Sequence, residues 1–250
     1  MEKVSLPKVA ALIMAAGSGK RMNASKNKIW LTLNGRSLLE HTLETFQGSG
    51  LFDVIVIVAN PSEIEELTAF LRESEFPSKS PIWLTAGGKE RHHSVANGLF
   101  FLDGLEMWNE STERLVAIHD AARALVTTDI LTVAITEGWK HRAVGIAVPV
   151  KDTIKQSNFE GFVVSTPERS CLWAVQTPQV FDFNLISECY RKISSNQQVF
   201  SDDCGVAEYC GYPVKLIKGS YENIKITTPE DLIFAEAILR GRIDADRARV

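Results

Sequence analysis

The sequence predicts an α/β protein built on a doubly wound, mostly parallel sheet. Three observations carry that prediction. Short apolar runs alternate with longer segments of helical periodicity. The short runs are almost continuous in Val, Ile, Leu and Ala, as strands covered on both faces require. Polar loops rich in Gly or Asp follow the first, third and fourth runs, where ligands bind in open α/β sheets.

The elements follow in order. Val9 to Ala15 reads as a buried strand, and Leu38 to Phe46 as a helix. Asp53 to Ala59 is a second buried strand. Ser62 begins a helix through Leu71, with Glu65 as its capping-box partner. Pro81 to Thr85 is a short strand and Ser94 to Leu102 a helix. Leu115 to His119 is a strand, Thr128 to Lys140 a helix, and Val144 to Val150 a strand. Between Lys151 and Pro178 polar turns (Ser157-Asn158, Glu160-Gly161) separate β-prone pieces, which reads as a β-hairpin arm leaving the sheet. Val214 to Lys218 is a late strand. Thr228 caps a last helix, with Pro229 at its first position and acids in its first turn. A closed eight-fold barrel also fits the length, but the strand–helix repeats are too few and the arm breaks the rhythm. Residues 1–240 are expected to form one domain including the arm at 151–178, and the charged residues 241–250 a frayed tail.

Composition narrows the function. With 250 residues the chain can bury a full core without metal or disulfide staples. Hydrophobic content of 45% and charged content of 23% exclude disordered, collagenous and coiled-coil classes. A net charge of −4 argues against nucleic acid or an anionic membrane as partner, so an anionic ligand needs a local basic cluster. Cys171, Cys189, Cys204 and Cys210 form no C-x-x-C pair and read as free thiols of a reducing compartment. Lys3 and Lys8 before the first apolar run resemble a signal peptide, but the run is short and enters a glycine loop. No stretch approaches the ~18 apolar residues of a membrane helix, so a cytoplasmic protein is expected.

Three loops carry candidate chemistry. Ala15-Ala16-Gly17-Ser18-Gly19-Lys20-Arg21-Met22 follows the first strand. It is neither a P-loop nor a dinucleotide fingerprint. With Lys26 and Lys28 it offers glycine backbone and positive charge to a triphosphate; alternatively it is a tight turn with solvated charges. Gly87-Gly88-Lys89-Glu90-Arg91 repeats the pattern after the third strand. Ser94 is either a ligand hydroxyl or a helix cap, and His92 and His93 diverge as surface residues. His119-Asp120-Ala121-Ala122-Arg123 ends the fourth strand. Asp120 suits Mg²⁺ beside phosphates, or a turn cap. Arg123 suits a second phosphate, or Asp120 itself. Lys225 lies in a β-prone run that faces either solvent or the cleft.

Taken together, AAGSGKRM (15–22), GGKERHHSV (87–95), HDAAR (119–123), PVKDTIK (149–155), LWAVQTPQVF (172–181), SDD (201–203) and NIKITTPEDL (223–232) resemble the 2-C-methyl-D-erythritol 4-phosphate cytidylyltransferase family. The resemblance runs from Val9 to about Leu239. It implies a Rossmann-like nucleotidyltransferase domain, and a homodimer whose arms each help complete the partner's site. It implies that Arg21 and Lys28 stabilise the transition state. Ala15, Ala16, Gly17, Gly19, Gly87, Ser94 and Ala121 would surround CTP, and Asp120 would hold Mg²⁺. Arg169 and Lys225 would bind the polyol phosphate, with Arg123, Thr153 and Thr177 as further contributors. The chain departs from the family at Asn27 and Ile29, where Pro and Gln flank the lysine. Ala124 replaces a proline and Ser201 a threonine. Two other readings stay open. One is a cytidylyltransferase for ribitol 5-phosphate, separable at the acceptor end around Arg169 and Lys225. The other is a silent CTP-binding regulator, which would bind CTP without releasing pyrophosphate.

Overall fold

The computed structural model describes residues 7–17, 27–74, 76, 80–194 and 198–247. Strand β1 (Lys8–Met14) is followed by a 3₁₀ turn (Lys28–Trp30), a small hairpin of β2 (Thr32–Leu33) and β3 (Arg36–Ser37), and α1 (Leu38–Ser49). Next come β4 (Val54–Ala59), α2 (Ile64–Glu73), β5 (Ile82–Ala86), α3 (Arg91–Asp103) and the short α4 (Glu106–Asn109). β6 (Arg114–Asp120), α5 (Thr128–His141) and β7 (Ala143–Pro149) lead to a second hairpin, β8 (Gln156–Ser157) with β9 (Val163–Ser165). β10 (Trp173–Asp182), α6 (Phe183–Ile193), α7 (Asp203–Tyr209), β11 (Lys215–Lys218) and α8 (Pro229–Arg247) complete the described chain.

The main sheet has the order β11-β7-β10-β6-β1-β4-β5. All of its pairings are parallel except those of β10, which runs antiparallel to both β6 and β7. Strand periodicity divides the core. Ala11, Ile13, Ile55, Ile57, Leu115 and Ala117 point to one face, packed under Leu39 and Phe46 of α1, Leu67 of α2 and Leu131 of α5. Ala10, Leu12, Val54, Val56, Val116 and Ile118 point to the other, under Val95 and Leu99 of α3 and Ile186 of α6. Two covered faces explain why these runs are apolar throughout. From β1 the chain winds outward through β4 and β5, then returns to β6 on the other side of β1. The carboxyl ends of β1 and β6 therefore flank a topological switch point.

Four expectations need correction. Ser62 does not begin a helix. Asn60 accepts the Ser62 N–H and caps a 3₁₀ turn (Pro61–Glu63), and α2 starts after it. Ser94 is no N-cap, because α3 begins at Arg91. The tail does not fray at Arg240: α8 is helical to Arg247. Arg242 anchors it, donating to Glu222 Oε2 and the Leu125 carbonyl, both at 2.9 Å. Finally, the arm is shorter than expected, because Trp173–Asp182 enters the sheet as β10. Pro178 hid this strand, since proline has no N–H for a central ladder. The sheet tolerates it through a register shift between Val175 and Gln179. The start of α8 is as expected: Thr228 Oγ1 accepts the Asp231 N–H, and Asp231 Oδ2 accepts the Thr228 N–H in return.

Candidate active site

A cavity of about 660 Å³ opens at the switch point. Its walls come from five places: the end of β1 (Met14 to Gly17), the Lys28 turn, Asn60 and Pro61 after β4, the loop from Gly87 into α3, and Asp120 with Ala122 after β6. Lys225 closes it from the segment before α8. That segment is tied to the site by the Ile226 N–H, which donates to Ala122 O at 2.8 Å.

Backbone proximity builds the walls. Gly87 donates to Ala59 O at 2.7 Å, extending the β4–β5 ladder. A side chain there is impossible: its Cβ would lie 2.6 Å from Ala16 Cβ and 2.8 Å from Ser94 Oγ. The Ser94 hydroxyl holds this loop from within α3. It accepts the Gly88 N–H at 3.0 Å and donates to Glu90 O at 3.2 Å. At Gly17 the space is open, and a methyl group there would sit 3.9 Å from Lys28 Cε. The lysine stem therefore runs past the glycine backbone.

Charge is concentrated in the cavity. Lys28, Lys89, Arg91 and Lys225 line it, against Asp120 and Glu90. Asp120 sits at the centre, its Oδ2 2.6 Å from Lys225 Nζ and its Oδ1 3.5 Å from Arg91 Nε. Burial opposes ionisation of Asp120, but Arg91 and Lys225 win and hold its carboxyl well below the usual carboxylate range. Arg91 is itself clamped by Asp203, with two bonds of 2.9 and 2.8 Å to its carboxylate oxygens. Asp203 is fully buried at the start of α7 and also accepts from Tyr190 Oη at 2.5 Å. A chain of net negative charge thus keeps a basic lining where the sheet opens.

Behind Asp120 lies an ordered hydrogen-bond chain. The Asp120 N–H donates to Thr177 Oγ1 at 3.1 Å, where β10 has lifted away from the ladder at its register shift. His119 Nε2 faces the Arg123 carbonyl, which can only accept, so Nδ1 is the ring's acceptor and the Thr177 hydroxyl donates to it, 3.1 Å away. The His119 proton then sits on Nε2, facing Arg123 O at 3.3 Å. Burial pushes the imidazole pKa down to about 3, so His119 is neutral at physiological pH. It is a structural link, committed on both nitrogens.

The structure brings together Ala15, Ala16, Gly17, Lys28, Gly87, Ser94, Asp120 and Lys225 around one cavity. Arg21 and Gly19 lie outside the described residues. Ala121 packs into the core, and its neighbour Ala122 lines the cavity instead. Arg123 turns away from the cavity and donates to Asn223 O at 2.7 Å and Val175 O at 3.3 Å. Thr177 is buried behind Asp120. Thr153 and Arg169 sit exposed at the base of the arm and do not line this chain's cavity. Arg169 donates to Lys151 O at 3.1 Å. Sequence reasoning assigned no role to Arg91, Asp203 or Gln179. Gln179 Oε1 accepts the N–H groups of Asp203 and Cys204, both at 3.0 Å. The strings GGKER and SDD contained two of these residues, but nothing in either string pairs it with the other.

Fold and site together define an α/β nucleotidyltransferase, and solved structures of that class superpose on the chain. One is 4-diphosphocytidyl-2C-methyl-D-erythritol synthase from Anaerococcus prevotii, with TM-score 0.78 and 31% identity, covering 94% of this chain and 99% of that one. Another is 2-C-methyl-D-erythritol 4-phosphate cytidylyltransferase from Thermus thermophilus, with TM-score 0.71 and 27% identity, covering 93% and 99%. More particularly, the chain belongs to the IspD family, 2-C-methyl-D-erythritol 4-phosphate cytidylyltransferase, whose family model matches residues 9–241. A relative of that name from Caldanaerobacter subterraneus subsp. tengcongensis is 41% identical over 232 residues, 93% of this chain and 99% of the relative. One from Halalkalibacterium halodurans is 44% identical over 230 residues, covering 92% and 96%.

Proposed function

We propose that this chain joins CTP and 2-C-methyl-D-erythritol 4-phosphate into 4-diphosphocytidyl-2-C-methyl-D-erythritol, releasing pyrophosphate. Membership of the family over residues 9–241 supports the substrates. The observation that carries the chemistry is the glycine-walled cavity lined by Lys28, with Lys225 paired to Asp120 in it.

The nucleophile is a phosphate monoester, whose second pKa is near ~6. It is mostly ionised at pH 7 and needs no general base. The two committed nitrogens of His119 agree with that. The barrier is electrostatic, because one anion must attack the α-phosphorus of another. Lys28 and Arg21 meet the charge that builds on the α-phosphate and the leaving pyrophosphate. The backbone of Ala15 to Gly17, Gly19 and Gly87, with Ser94 and Ala121 behind it, receives the nucleotide. Lys225 holds the acceptor phosphate. Thr177 and Arg123 act indirectly, through Asp120 and the Asn223–Lys225 segment they brace.

Among the described residues no three His, Cys, Asp or Glu side chains converge as a metal cage. A carboxylate beside a phosphate site nevertheless suits Mg²⁺, which takes one or two carboxylates together with substrate phosphates and water. Asp120 is the residue to hold it, and the ion would supply charge neutralisation at the phosphate oxygens.

The arm supports a second copy of this chain as partner. Phe159, Phe162, Val163 and Val164 are exposed on it. Arg169 and Thr153 sit there, outside their own chain's cavity, and in this reading they serve the partner's. Mixing Lys28→Ala with Arg169→Ala chains tests the arrangement. Assayed with the polyol phosphate well below its KM, where Arg169→Ala homodimers turn over slowly, mixed dimers keep one intact site, so roughly a quarter of wild-type sites should return. No recovery in a mixture shown to exchange subunits would reject the shared site. Pyrophosphate release with CTP and Mg²⁺, offering methylerythritol phosphate and ribitol 5-phosphate side by side, tests the reaction itself. Preference for methylerythritol phosphate is expected, and preference for ribitol phosphate would overturn the substrate assignment.

A further inference from the structure

We propose that Asn27 is a positioning residue for Lys28, doing with side-chain hydrogen bonds what a proline ring does covalently. The inference rests on the reading that Lys28 stabilises the transition state. The turn carrying Lys28 starts at Asn27, whose backbone has φ −58° and ψ 140°. A proline ring would impose nearly that φ. Here the side chain holds it. Asn27 Nδ2 donates to Ala15 O at 2.9 Å and to Glu63 Oε2 at 2.8 Å. Oδ1 accepts the Ile29 N–H at 3.4 Å, capping the turn.

These bonds join three separate walls of the cavity. Ala15 follows β1, and Lys28 and Ile29 belong to the 3₁₀ turn. Glu63 closes the 3₁₀ turn beginning at Pro61, which itself lines the cavity. Asn27 is buried, so water is a poor substitute for the bonds it makes. An alanine makes none of them. An aspartate keeps the cap, but it loses both donors and brings a like charge to Glu63. This one amide links the turn carrying Lys28 to both the end of β1 and the Glu63 turn.

The test is steady-state pyrophosphate release by Asn27→Ala, Asn27→Pro and the Lys28→Ala/Asn27→Ala double variant, with thermal melting as a fold check. Asn27→Ala should lower kcat roughly tenfold, because misplacing a catalytic group by a fraction of an ångström costs rate rather than affinity. KM for CTP should move less than kcat. Asn27→Pro should recover most of the loss. In the Lys28→Ala background, Asn27→Ala should change kcat by less than about twofold, since its effect passes through the lysine. Full kcat in Asn27→Ala, or an equal loss with and without Lys28, would overturn the proposal. If Lys28→Ala itself keeps full kcat, the underlying assignment of Lys28 fails, and this inference with it. Should Asn27→Ala not fold, Glu63→Ala approaches the same bond from the other side. It should lower kcat in the native chain and have no effect in Asn27→Pro; an equal loss in both would again overturn the idea.

Discussion

The switch-point cavity and the β8–β9 arm follow opposite building rules. At the cavity the charges around Asp120 are answered within the chain: Asp120 by Lys225 and Arg91, Arg91 by Asp203, Asp203 by Tyr190. The arm keeps its backbone turn in order, with Asn158 Oδ1 accepting the Glu160 and Phe162 N–H groups. Its apolar side chains, however, remain exposed. A preorganised electrostatic site must be rigid before substrate arrives, because reorganisation during the reaction would cancel its advantage. The proposed role of the arm, reaching a second copy of the chain, would need only a defined backbone and an exposed apolar surface.

Three measurements break or sharpen that contrast. The largest effect is expected in the cavity: Lys28→Ala should lower kcat on the order of 10²–10³, with a smaller change in KM. A change in KM alone would make Lys28 a simple binding residue. Next comes the hydrogen-bond chain behind the cavity. His119 has its pKa lowered by burial to about 3, against an unfolded value of ~6.5. Its depressed folded pKa makes it contribute full stability above pH 6.5 and lose it as pH falls toward 3. The loss should reach about 2 kcal/mol by pH 5. Denaturant titrations of native and His119→Gln chains should differ in slope across that window, whereas Asp120 loses its contribution only below the ordinary carboxylate range. Parallel slopes would show that His119 titrates normally. The smallest effect belongs to the arm. Arg169→Ala should raise KM for the polyol phosphate roughly tenfold and leave kcat and Tm nearly unchanged. A fall in Tm would make Arg169 a structural residue of its own chain, through its bond to Lys151 O.

Legibility in the sequence varied with how local the signal was. The parallel strands were readable because burial on both faces writes a continuous apolar run, as in Val54–Ala59. The start of α8 was readable because Thr228, Pro229 and Asp231 cap it within four residues. β10 was not, because Pro178 contradicts a central strand unless the ladder shifts there, and the shift depends on β7. α6 was overlooked, although Asp182 caps it by accepting the Leu185 N–H at 2.8 Å and its apolar residues recur at helical spacing. In the site, glycine backbone next to lysine was a local pattern and identified the loops. Arg91 with Asp203 was not local, since 112 residues separate them.

By itself the sequence determined the class of sheet, the strand ends that carry ligand-binding loops, the exposed arm, and the charged residue types available for phosphate chemistry. These follow from patterns a few residues long, set by hydrophobic periodicity and the special backbones of Gly and Pro. Only the tertiary structure decided which charges neutralise one another, and that Asp120 rather than Arg123 faces the cavity. It also decided that His119 is a buried link and that Asn27 ties the Lys28 turn to two other walls. Those outcomes depend on distances between segments far apart in the chain. Electrostatic and hydrogen-bond energies change steeply with such distances and with burial, and neither quantity exists until the sheet has closed.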